Sequence, residues 1–135
     1  MAVNFQTTNP AQLNDRVTEL QIAVALDEAN VLGGASYTAA GAISVGGSAV
    51  LKAGSAAAMT LAAPIAGSQL SGGQDFAEMV IFAADAYAYT VTTPTNALNG
   101  NKHIATFAAA AGNAVYLEAF NGVWYVAQNN GITLS

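Results

Sequence analysis

The chemistry open to this sequence rests on a short inventory: one histidine, eight carboxylates and no cysteine in 135 residues. Without a thiol there is no Cys–His nucleophile and no thiolate metal centre, and a Ser–His–Asp triad would depend wholly on His103. His103 stands beside Lys102 just after the turn signal Asn99-Gly100. That setting predicts an exposed loop or strand-edge residue with a structural or surface role rather than a general base. The carboxylates fall into two groups. Asp15, Glu19, Asp27 and Glu28 belong to a helical pattern near the N-terminus, and Asp75, Glu78, Asp85 and Glu118 to the strand-rich remainder. A pair from the second group suits glycosidic acid–base work only at a suitable separation, and their spacing does not select for it. Asp75 and Glu78 flank the start of a strand, where solvated charge is ordinary. No loop carries the closely spaced carboxylates of a calcium site. Gly33-Gly34, Gly46-Gly47 and Gly72-Gly73 lack the lysine and the strand-to-helix context of a phosphate loop, so they read as turns. The expectation is a chain that is not an enzyme: no catalytic residue, no cofactor and no metal ligand.

Composition points toward contact with other protein. Charged residues make up 8 % of the chain, against about 25 % in ordinary globular domains. The outer surface is therefore largely neutral, small or apolar, as in chains that meet protein partners. The net charge is −5 and the cations are Arg16, Lys52 and Lys102. Three scattered cations cannot form the basic stripe that nucleic acid requires, and they disfavour an anionic membrane surface too. Met1 to Gln12 has neither the basic nor the apolar region of a signal peptide, and no apolar run nears the roughly 18 residues of a membrane span. These features predict a chain made and kept in the cytoplasm until it assembles.

The elements that must position these residues come in two blocks, 1–34 and 35–135. Residues 1–8, with Phe5, read as an extended arm. Asn9 can cap a helix, Pro10 suits its first position and Gln12 completes a capping pattern. Leu13, Val17, Leu20 and Val24 then recur at spacings of four, three and four, one stripe of a helix that ends before Gly33-Gly34. Two arrangements fit that stripe: packing on the chain's own sheet, or a short seam between subunits. From Ser36 onward the period is two. The predicted strands are Ala42–Val45, Ala49–Ala53, Ala58–Ala62, Glu78–Ala83, Tyr87–Thr92, His103–Phe107 and three in the C-terminal tail. In that tail, apolar runs flank Asn121-Gly122, both residues that accept the positive φ of a type I′ hairpin. Trp124 and Tyr125 must face opposite sides of their strand. Short strands with no helical pattern between them predict a mainly β fold, an antiparallel sandwich or barrel of jelly-roll type, with one N-terminal helix.

Five segments carry a family resemblance. Met59-Thr60-Leu61-Ala62-Ala63-Pro64-Ile65-Ala66-Gly67, Glu78-Met79-Val80-Ile81-Phe82, Tyr89-Thr90-Val91-Thr92-Thr93, Ala105-Thr106-Phe107 and Ala119-Phe120-Asn121-Gly122-Val123-Trp124-Tyr125-Val126 stand in an order that resembles a β-rich module of tailed-bacteriophage structural proteins. These include head decoration (cement) proteins and head- or tail-fibre proteins. The resemblance spans roughly residues 58–135. Tyr87-Ala88-Tyr89 stands before Thr90-Val91-Thr92 where the family tends to carry histidine, so no individual contact residue is carried over. The resemblance implies a non-enzymatic virion protein on the capsid surface, a homotrimer whose partners are the major capsid protein and its own copies. From the residues themselves, the arm and helix are expected to contact the capsid or a neighbouring subunit, with Phe5, Leu13, Val17, Leu20 and Val24 as interface residues, and Trp124 to pack in the core or at a subunit interface. The alternative the resemblance implies is a fibre or receptor-binding module that contacts a host surface glycan.

Overall fold

The computed structural model describes residues 34–135. The arm and the helical stripe, with Phe5, Leu13, Val17, Leu20 and Val24, lie outside the described residues. Ten strands build the described part: β1 (Gly34–Tyr37), β2 (Gly41–Ile43), β3 (Gly47–Leu51), β4 (Ala57–Leu61), β5 (Glu78–Ala83), β6 (Tyr89–Thr92), β7 (Ile104–Phe107), β8 (Ala114–Phe120), β9 (Val123–Asn130) and β10 (Ile132–Leu134). They form two five-stranded sheets, ordered β1-β3-β5-β8-β9 and β10-β7-β6-β4-β2, in a mainly β, sandwich-like fold. The described residues hold no α-helix, only a 3-10 turn at Gln69–Ser71.

The expected antiparallel, jelly-roll arrangement is corrected by the pairing. As far as β6 the chain alternates between the sheets, so β1, β3 and β5 pair in parallel in the first, and β2, β4 and β6 in parallel in the second. Only from β7 onward are the added strands antiparallel. Parallel neighbours need a long crossover, which a helix usually supplies. Here a strand of the opposite sheet supplies it, as where Gly34 pairs with Ser48 and Gly41 with Met59. The lack of helical pattern between strands therefore did not imply hairpins. Both sheets grow in chain order, and among the described residues their first and last strands do not pair with one another, so the described body is neither a jelly roll nor a closed barrel.

Alternation along each strand makes the core. Ala49 and Leu51, Met79 and Ile81, Val115 and Leu117, and Trp124 point inward from the first sheet. Met59 and Leu61, Tyr89 and Val91, and Ala105 and Phe107 do so from the second. Strand β5 has the predicted bounds. Strand β1 was not anticipated, since Gly-Ala-Ser-Tyr has no apolar alternation. Strand β6 begins at Tyr89, which leaves Tyr87 exposed in the preceding loop rather than on a strand face with Tyr89 and Val91. Asn121 and Gly122 adopt φ of 49° and 80° and close the β8–β9 hairpin with both central residues in the positive region, as expected. Strand β9 continues to Asn130 past a register shift opposite Tyr116 and Leu117.

Buried Tyr89 joins two chain connections. Its hydroxyl donates to Asp85 Oδ1 at 2.5 Å and accepts the Ala53 N–H at 2.8 Å, while Asp85 Oδ2 accepts the Gly54 N–H. Burial, and then the hydrogen bond to Asp85, raise the Tyr89 pKa above the usual 10. The neutral phenol is thus the form the fold favours. Its contribution is whole below about pH 10 and is lost as pH rises through the folded-state pKa. Tyr89→Phe should lower stability by about 1–2 kcal/mol at pH 7. In urea titrations the gap between the two proteins should narrow above about pH 10; a gap that stays constant to pH 11 would refute this role.

Candidate interaction surface

The polar groups singled out in the sequence do not converge. His103 is half-buried just before β7. Its N–H donates to the Ser135 carbonyl, and its own carbonyl accepts the N–H and the hydroxyl of Thr93. Asp85 belongs to the Tyr89 network. Asp75 Oδ1 accepts the Asn121 N–H at 2.8 Å and so ties the β4–β5 loop to the β8–β9 hairpin. Glu78 and Glu118 are cross-strand partners on β5 and β8, an arrangement in which like charges repel. Tyr116 lies on the same outward face. The Glu78 carboxylate beside it raises the phenol pKa, with lesser contributions from desolvation and from the Glu118 charge. Among the described residues no three His, Asp or Glu side chains stand close enough to hold a metal ion.

Of the two places expected for Trp124, core and subunit interface, the described fold gives it the core. It is 0 % exposed and lies in the hydrophobic core of the described fold. Its indole Nε1–H donates to the Ala62 carbonyl at 2.9 Å. Its backbone N–H donates to Ala97 and its carbonyl accepts from Asn99, while Asn99 Oδ1 accepts the Val126 N–H. The loop from Ala97 to Asn99 thereby covers part of the outer edge of β9, an edge that would otherwise offer unpaired backbone groups. Strand parity explains the result: with Trp124 inward, Tyr125 and Val123 must face outward.

What the structure does bring together is apolar. Of the six large hydrophobic side chains exposed among the described residues, five belong to the β4–β5 loop or the β8–β9 hairpin: Ile65, Leu70, Phe76, Phe120 and Tyr125. The sixth, Tyr87, lies beyond the opposite end of β5. Ile65 and Leu70 follow Met59 and Leu61 in the same apolar-rich segment. Only the latter two are buried, and Leu70 is 99 % exposed. The loop that presents them holds its own shape. Gln74 Oε1 accepts the Ile65 N–H, the Gln74 N–H donates back to the Ile65 carbonyl, and Gln69 Nε2 donates to the Asp75 carbonyl.

Phe76 stands out within this group. Its φ of 66° lies in the left-handed region, which costs a residue with a Cβ roughly 1–2 kcal/mol. The Phe76 N–H donates to the Ala119 carbonyl, and the Ala119 N–H donates to the Ala77 carbonyl. These bonds fix the backbone with the ring outward, 65 % exposed and 5.7 Å from the Phe120 ring at 44°. Phe76, Glu118, Ala119, Phe120 and Tyr125 line a cleft of about 240 Å³ there. Sequence reasoning missed Phe76 and Phe120. Strand parity from Trp124 could have placed Phe120, paired with Val123, on the outer face. No sequence signal marks the positive φ of Phe76.

The second sheet turns a different face outward. Thr133, Thr106 and Thr90 are successive neighbours on β10, β7 and β6, and Thr92 pairs with Thr60 on β4. These hydroxyl-bearing, β-branched residues suit a solvated sheet face. The apolar surface is thus concentrated where the β4–β5 loop meets the hairpin. A scan of the chain against protein-family models matches no family, and a search of curated proteins finds no matching relative.

Proposed function

We propose that this chain is a non-enzymatic virion structural protein, a capsid decoration (cement) protein. It binds and stabilises the head lattice as a homo-oligomer, a trimer, with the major capsid protein as its partner at the capsid surface. The observation that carries this reading is the apolar end formed by Ile65, Leu70, Phe76, Phe120 and Tyr125. A chain with so few charges that holds five large apolar groups to solvent gains by covering them with protein. The ordered resemblance over residues 58–135 supplies the kind of partner.

The test is the copy number of this chain relative to the major capsid protein, by quantitative mass spectrometry of purified virions from the source. A ratio near one to one, or a simple lattice fraction of it, is the expected result. A few copies per particle would replace this reading with the fibre or receptor-binding one. Absence from the particle would overturn both.

A further inference from the structure

We infer that the cleft between Phe76, Phe120 and Tyr125 binds a quaternary ammonium head group of the choline type. Three aromatic side chains line one small concavity, and two of their rings stand 5.7 Å apart at 44°. Aromatic faces carry negative potential and attract a cation within about 6 Å of the ring centre. Glu118 supplies a carboxylate to the same lining. Asp75 and Glu78 lie close by in the chain and the sheet, and Glu78 is the cross-strand partner of Glu118. Neither described lysine belongs to the lining, because Lys52 follows β3 and Lys102 precedes β7.

The kind of cation follows from the lining. An unmethylated ammonium needs several hydrogen-bond acceptors, and the cleft offers Glu118 among mostly apolar atoms. A trimethylated nitrogen needs none, and its methyl groups match the rings. At about 240 Å³ the cleft falls below the roughly 300–1,000 Å³ of sites for larger ligands, so it suits one compact head group. A pyranose would need a set of directed polar partners that this lining lacks. The backbone of Phe76 is the independent sign. Left-handed geometry in a bulky residue persists where surroundings over-determine it, and such residues gather at ligand clamps. The cleft lies within the apolar end that carries the capsid reading, but the inference does not rest on that reading, and the isolated chain is enough to test it.

The experiment is an NMR titration of the full chain at low salt with choline. A second titration uses 3,3-dimethylbutan-1-ol, which has the same shape without the charge. Choline should move the ring signals of Phe76, Phe120 and Tyr125 and bind about fivefold or more tightly than the neutral analogue. Glu118→Gln should narrow that preference. Phe76→Gly, which accepts the positive φ without strain, should keep the fold and weaken choline binding by about fivefold. Equal binding of the two probes would overturn the inference, as would choline that leaves the ring signals unmoved. Methyl glucoside moving the same signals in choline's place would overturn it in favour of a glycan.

Discussion

Trp124→Ala should lower folding stability by about 3–5 kcal/mol, the range for truncating a large aromatic in a packed core. Domains of this size are stable by roughly 5–15 kcal/mol in total, so the variant is marginal or unfolded at 37 °C. Two losses combine. The indole is fully buried in the core, and its removal leaves a cavity lined by side chains of both sheets. The Ala62 carbonyl, which follows β4, also loses the Nε1–H donor that links it to β9. Trp124→Phe separates the two contributions: it keeps most of the apolar volume and removes the donor, so it should cost about 1–3 kcal/mol. Urea denaturation followed by circular dichroism gives both values. If Trp124→Ala costs less than about 1 kcal/mol, Trp124 does not hold the sheets together, and an interface role would return to consideration.

That substitution also marks what the sequence could reveal. The hairpin was legible because Asn121-Gly122 satisfies a local steric requirement with no help from the rest of the chain. The inward or outward choice at Trp124 and Tyr125 was legible as an alternative, because strand period is local too. The side facing the core was not, since that depends on the opposite sheet. Strand positions from β2 onward followed from breakers and alternation, but pairing did not. Parallel pairing of β1 with β3, and of β2 with β4, depends on the chain crossing between sheets at each turn, and nothing local records a crossing made by another strand. The candidate cleft was hidden for the same reason. Phe76 and Tyr125 are far apart in sequence, and Phe76 is turned outward by a backbone conformation held through bonds to Ala119.

Gly73→Ala should cost about 3 kcal/mol, at the upper end of the overpacking range, although Gly73 has no positive φ to require glycine. The cause is a close approach of backbone to backbone. A Cβ on Gly73 would stand 2.1 Å from the Gly67 carbonyl oxygen and 2.3 Å from its carbonyl carbon. No side-chain rotation relieves that contact, so the loop must open. Opening it strains the bonds from the Gly73 N–H to the Ser68 carbonyl and from the Asp75 N–H to the Gly67 carbonyl. Asp75 is the residue that reaches the hairpin through Asn121, and Phe76 follows it. The damage should therefore extend from stability to the proposed cleft, with weaker choline binding in the fraction that still folds. Gly72→Ala is the matched control. Its Cβ meets open space but its φ is 85°, so the cost is the left-handed penalty of roughly 1–2 kcal/mol. Thermal unfolding of the two variants should rank Gly73→Ala well below Gly72→Ala. The reverse order would mean that the loop yields easily, and a loop that yields easily could not hold Ile65, Leu70 and Phe76 out as a firm contact surface.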